Sequence, residues 1–139
     1  MDDRYVTFQN TLRAHGYSVT KPRQAVFSAM LDHEPLTIQR LFTELDTQIN
    51  RASIYRTIKI FEKLSIIQRL MHGWKYKLEL SDAFSNHHHH INCTRCGTIQ
   101  AFEESPAINR ELQHLAQSAG FSEVSHQLEI RGLCQKCQA

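Results

Sequence analysis

Residues 51–80 read RASIYRTIKIFEKLSIIQRLMHGWKYKLEL, and the hydrophobic period changes inside them. From 51 to 64, Ile54, Tyr55, Ile58, Phe61 and Leu64 recur at helical spacing and point inward, with Arg51, Arg56, Lys59 and Lys63 outward. Asn50 or Ser53 caps that helix. Then Ile66, Ile67, Arg69, Leu70 and Met71 read as a strand, His72-Gly73 as a turn, and residues 74–80 as a strictly alternating, half-exposed strand. A helix feeding a hairpin suggests a winged helix, in which the last helix enters the DNA major groove and the hairpin lies against the backbone. A small helical bundle with a hairpin, unconnected with nucleic acid, has the same pattern.

Upstream, three helices are predicted. Residues 1–16 carry Tyr5, Val6, Phe8 and Leu12 and stop at Gly16. Residues 22–31 start after Thr20 with Pro22 in the first turn, where a missing N–H costs nothing. Thr37 opens the third, with Ile38, Leu41, Phe42 and Leu45 on one side. Downstream, SDAFSN at 81–86 is polar and aperiodic and reads as a hinge. Two short strands then flank a Cys-x-x-Cys turn. A helix spans 105–118, with Ser105 as cap and Ile108, Leu112, Leu115 and Ala116 as its stripe, and 121–130 alternates as a strand. The expected domains are 1–80, a hinge at 81–86, and 87–139.

Charge and ligating residues are unevenly divided. Residues 1–80 hold 12 Lys and Arg against 8 Asp and Glu, and residues 81–139 hold 4 against 6. All four cysteines and six of nine histidines lie after residue 86. The basic stretch 47–79 makes DNA a candidate partner, although a solvated helix face carries similar charge. No stretch approaches the ~20 apolar residues of a membrane span, and the N-terminus lacks a signal-peptide core, so a cytoplasmic protein without membrane contact is expected.

Cys93-x-x-Cys96 and Cys134-x-x-Cys137 are two short pairs of the kind that converge on one tetrahedral zinc ion. Four thiolates fill the coordination sphere, so a structural zinc is expected rather than a catalytic one. Disulfides or redox pairs fit a reducing cytosol poorly, and no βαβ pattern accompanies them.

The run HHHHINCTRC at 87–96 is the second chemical signal. In a strand, His87 and His89 face one way and His88 and His90 the other, so one strand offers imidazole pairs to two separate sites. A solvated tract that binds metal loosely is the alternative. Glu79, ending the last wing strand, is a candidate to join His88 and His90, and His126 to join the other pair. His33 and His72 are further histidines of the first half.

Together these stretches resemble the Fur (ferric uptake regulator) family of bacterial metal-dependent transcription repressors. The resemblance is carried by GYSVTKPRQAVFSAML at 16–31, ASIYRTIKIFEKLSII at 52–67, HHHHINCTRCGTIQAF at 87–102 and GFSEVSHQLEIRGLCQKC at 120–137. It implies an α+β chain: an N-terminal winged-helix DNA-binding domain, a hinge, and a C-terminal α/β dimerisation domain with a four-cysteine zinc site. It implies DNA contacts by Tyr55 and Arg56, with Arg51 and Ser53 nearby and Arg23 at phosphate. It implies a regulatory metal at Glu79, His88 and His90 with His33 as a weaker match, and a second site at His87, His89 and His126. Three positions depart from the family's pattern. Ala101 replaces an acid, Pro35 replaces a histidine, and Asn109 stands where a helix glutamate is usual, leaving Glu111 or Glu104 to supply a carboxylate. The nitrogen-rich donor set suits zinc or nickel as well as iron or manganese.

The resulting expectation is a regulator, not an enzyme, whose homodimer binds a palindromic double-stranded operator when a second divalent metal orders the hinge. A small metalloenzyme or a zinc storage or delivery protein are the competing classes. No His-Glu-x-x-His motif or phosphate-binding glycine loop supports the enzyme.

Overall fold

The computed structural model describes residues 2–72, 74–84 and 88–139. The chain divides into two compact units, Met1–Asn86 and His87–Ala139.

The first unit contains α1 (Asp3–Ala14), α2 (Lys21–Met30), α3 (Ile38–Leu45) and α4 (Arg51–Lys63), then the antiparallel hairpin of β1 (Ile67–His72) and β2 (Lys75–Leu80). Each helix starts where a short polar side chain accepts a backbone N–H. Thr20 accepts from Arg23, Thr37 from Arg40 and Asn50 from Ser53. Asn50, rather than Ser53, is therefore the cap of α4. Phe8 and Phe27 stack with centroids 4.1 Å apart, and Phe61 meets Phe8 edge-on at 5.5 Å. All three are fully buried, each contributing about 1.5–3 kcal/mol of transfer free energy. Before α3, Leu36 pairs its N–H and C=O with Leu78 of β2, at 2.8 and 2.6 Å.

Several expectations change here. Tyr55 is not inward: it is 48% exposed, and Thr57 is buried in the helix interface instead. The alternation of 74–80 fails at its end, because Leu78, Glu79 and Leu80 are all buried, with the Leu36 strap paired to Leu78. His72 belongs to β1 rather than to a turn, and Gly73 lies outside the described residues. Of the expected hinge, Asp82–Phe84 form a 3-10 turn, and Phe84 packs edge-on against Phe27 at 5.4 Å, so this part belongs to the first unit's core. Ser85 and Asn86 lie outside the described residues.

The second unit is a three-stranded sheet in the order β4-β3-β5, from β3 (His88–Cys93), β4 (Ile99–Glu103) and β5 (Glu129–Gly132). The β3–β4 pair is antiparallel and the β3–β5 pair parallel, and α5 (Pro106–Ser118) forms the crossover from β4. The expected long strand at 121–130 is reduced to β5. Pairing on β3 begins only at His90 with Glu129, and Glu123 takes a left-handed φ of 53°, which breaks an extended run. Helix α5 has its predicted apolar stripe but fully buries none of it: Leu112 and Ala116 are half-buried and Leu115 is 58% exposed.

Candidate metal centres and nucleic-acid face

The cysteine site grows from the end of β3. Cys93 is buried there, and Gly97 at φ 78° turns the chain back so that its N–H donates to the Cys93 carbonyl at 3.0 Å. The C-terminal 3-10 turn, Gln135–Gln138, brings Cys134 and Cys137 to the same place. The four sulfurs lie within 4.8 Å of one another, with no disulfide among them. Cys96 Sγ and Cys134 Sγ are 3.8 Å apart. Two sulfurs at tetrahedral positions about 2.3 Å from a zinc ion are separated by about 3.8 Å, so the cluster fits such an ion. The backbone N–H groups of Cys134 and Cys96 donate to Cys93 Sγ and hold its thiol near a pKa of about 5. The Thr98 hydroxyl lowers that of Cys96. Cys137 goes the other way, to about 12, through its hydrogen bond with the Cys134 sulfur and through burial. Four convergent sulfurs are a receiving site for a cation, which offsets the repulsion among them as they lose their protons. Arg95 closes the knuckle by donating to the Cys137 carbonyl at 2.5 Å.

Strand β3 separates its histidines by face. His88 and His90 share one side, their rings 4.9 Å apart. Asn92 continues that row, with Glu129 opposite His90 on β5 and Ala101 opposite it on β4. Glu129 accepts from Asn92 Nδ2 at 3.3 Å and from Arg131 at 3.0 Å, and Arg131 first, then Asn92, holds its carboxyl below the ordinary range. This polar row beside His90 was missed from the sequence, although the two-residue spacing His88, His90, Asn92 pointed to it.

His89 is buried on the opposite face. Its Nε2 lies 2.8 Å from Glu104 Oε1, and His126 Nε2 approaches the same oxygen. His89 and His126 rings are 5.1 Å apart. Both imidazoles, His89 first, hold the Glu104 carboxyl below its ordinary range. Of the three carboxylate or amide positions considered, Glu104 occupies the cluster, while Asn109 and Glu111 are exposed on α5. His87 lies outside the described residues.

In the first unit, Glu79 is buried in β2 and accepts from Gln68 Nε2 at 2.7 Å. His33 is turned to other partners: its Nε2 lies 3.7 Å from Glu44, and its Nδ1 lies 3.0 Å from the Glu34 carbonyl. Among the described residues, no group of three ligating side chains includes it.

The exposed face of α4 carries Tyr55, Arg56, Lys59 and Lys63 at helical spacing. Phe42 of α3, unnoticed in the sequence as a platform, supports two of the expected contacts. Tyr55 meets its ring at 5.2 Å, and the Arg51 guanidinium lies over it at 5.0 Å. Arg56 donates to the Ser53 hydroxyl at 3.2 Å. Arg23, in the first turn of α2, lies over Tyr17 at 5.4 Å and donates to the Ser18 carbonyl at 2.6 Å.

A model of the ferric uptake regulator family matches residues 14–131. The chain belongs to the ferric uptake regulator family. It is 33% identical over 138 residues to the ferric uptake regulation protein of Neisseria meningitidis, covering 92% of this chain and 91% of that one. It is 31% identical over 136 residues to the peroxide-responsive repressor PerR of Staphylococcus aureus, covering 92% and 87%. The structure of the Helicobacter pylori ferric uptake regulator matches with a TM-score of 0.79 at 22% identity over 99% of this chain and 93% of that one, which establishes the fold. Members of this family are metal-responsive transcriptional repressors. No helix among the described residues is long and apolar enough to cross a membrane.

Proposed function

We propose that this chain represses transcription as a homodimer that binds a palindromic double-stranded operator when a divalent metal is held near its hinge. The observation that carries the reading is the division of chemistry between the two units. The first presents an exposed basic helix face with Tyr55, Arg56 and Arg51 held for contact. The second gathers thiolate, imidazole and carboxylate donors into separate clusters. Arg23, Arg51, Ser53, Tyr55 and Arg56 are assigned to DNA. Cys93, Cys96, Cys134 and Cys137 are assigned to a structural zinc. Glu79, His88 and His90 are the regulatory ligands, and His89, Glu104 and His126 the ligands of a further site. A bound divalent cation supplies a cross-link between side chains that are otherwise independent.

The chain's own residues do the rest. The β3 alternation turns His89 away from His88 and His90, so the strand serves two separate donor sets. Glu104 fixes the ring orientation of His89 and His126. The uncovered apolar residues of the second unit, Leu115, Phe121, Ile130 and Leu133, supply the surface for a second copy. Arg56→Ala should weaken binding to a duplex operator by about tenfold, within the range of a lost base contact, with metal content unchanged. Unchanged affinity contradicts the assignment of α4. His88→Ala with His90→Ala should keep the cysteine zinc and lose metal-stimulated DNA binding. Retained stimulation moves the sensing role to His89, Glu104 and His126.

A further inference from the structure

We infer that Trp74, at the tip of the β1–β2 hairpin, is a wedge that enters the operator's minor groove beside the site read by α4. This rests on the operator-binding reading above and adds a contact that the α4 face does not provide. Three observations converge on it. First, Trp74 is the chain's only tryptophan and is 84% exposed, the most exposed of the large hydrophobic side chains among the described residues. An indole left that open in one copy has its partner elsewhere. Second, the hairpin is clamped to α4. Arg69 of β1 donates to both carboxylate oxygens of Glu62 on α4, at 3.0 and 2.9 Å, and lies 4.2 Å over the Tyr76 ring of β2. The guanidinium is committed to that clamp, so the tip moves with the helix as one body. Third, the occupant is set by charge. The Lys75 ammonium lies 5.4 Å from the Trp74 ring, Lys77 follows two residues later on the same strand face, and the hairpin's acid, Glu79, is buried. An aromatic ring with two lysines beside it and, among the hairpin's described residues, no exposed carboxylate complements a polyanion with apolar interior surfaces, which describes duplex DNA.

The geometry then follows from the duplex. With α4 in the major groove, an element fixed beside it crosses one phosphate backbone to the flanking minor groove, about 6 Å wide. An apolar ring entering there partly unstacks a base step and kinks the duplex, most easily at a flexible pyrimidine–purine step. Lys75 and Lys77 take the phosphates on either side.

The test uses full-length zinc-loaded protein and a duplex that this protein selects from a randomised pool. Trp74 emission is followed as the duplex is added, and affinities are measured against salt for Trp74→Ala, Trp74→Phe and Lys75→Ala. The emission should be quenched or shifted on saturation. Trp74→Ala should bind about tenfold more weakly, the scale of one lost aromatic–base stack, with its salt slope unchanged, and Trp74→Phe should recover most of the loss. Lys75→Ala should instead lower the salt slope by about 0.9. Emission that does not change at saturation, with Trp74→Ala binding as tightly as the parent, overturns the wedge while leaving the operator reading intact, and assigns the ring to a protein surface. A wild-type chain that selects no duplex overturns both.

Discussion

The two units are held together by different means. The first encloses a continuous apolar core, from Phe8 and Leu12 through Phe27, Leu41, Ile54 and Phe61 to Phe84. The residues of that cluster all belong to the first unit. Among the second unit's described residues, those buried are Cys93, His89 and Asn92. Ile91, Ile108, Leu115, Phe121, Ile130 and Leu133 are exposed there, and among those described residues no large apolar side chain is fully buried. A unit of about 50 residues without a core needs metal, cross-links or a partner to stay folded. The second unit supplies both substitutes for a core: four convergent sulfurs and an uncovered apolar stripe on α5. A DNA-reading element benefits from rigidity independent of metal. A sensing element benefits from stability that depends on ligands, because binding energy then appears as folding energy.

The sharpest way to break this contrast is at the sulfurs. Cys96→Ser should abolish the structural zinc, whose apparent binding free energy is on the order of 10–16 kcal/mol in small zinc domains. Zinc per chain by elemental analysis should fall by one, with β3–β5 order lost and the first unit's urea transition unmoved. Next in size, Phe27→Ala should cost about 3–5 kcal/mol in that same urea transition and leave zinc stoichiometry unchanged. A loss of zinc in this variant would show that the two units do not fold independently. Asn50→Ala removes the acceptor for the Ser53 N–H at the start of α4. It should cost about 1 kcal/mol of stability. It should also weaken DNA binding several-fold without affecting metal content, and unchanged DNA affinity would separate the α4 terminus from the binding face.

The smallest expected effect is at the surface of the first unit. Arg4 bridges Asp2 and Asp32, and its hydrogen bonds hold both carboxyls below their ordinary value. A depressed carboxyl pKa contributes stability that is present above the ordinary carboxylate range and is lost as pH falls through the depressed values. Arg4→Ala should therefore lose a little stability at neutral pH, and its curve should converge on the parent's in strong acid. Parallel curves at all pH values would assign the loss to packing of the Arg4 stem. The Asp2 and Asp32 side chains are exposed, which keeps the effect small.

The sequence was most informative where local rules decide. Thr20, Thr37, Asn50 and Ser105 each announce a helix because a cap is a contact within three residues. Each Cys-x-x-Cys pair is legible in the same way, since ligand spacing within a turn is local, whereas the meeting of the two pairs is delivered by the β3–β5 pairing. Legibility failed where a partner distant in sequence decides. Tyr55 sits on the boundary of the α4 stripe, and only Phe42 on another helix fixes its side. Three positions competed for the carboxylate near His89, and Glu104 prevails because the segment between β4 and α5 delivers it there, a placement with no periodicity to read. Phe84 looked like part of a polar linker until its ring was seen against Phe27. The α5 stripe was read correctly as a pattern, but none of its residues is fully buried, and Leu115 is exposed.

The most direct test of the contrast is amide hydrogen exchange, followed by mass spectrometry on the intact chain with its zinc and after the zinc has been stripped. Stripping should leave α1–α4 as protected as before and expose the amides of β3, β4 and β5. Protection that persists in β3–β5 without zinc, or that is lost from α1–α4 together with it, would contradict the claim that one unit is held by its apolar core and the other by its ligands.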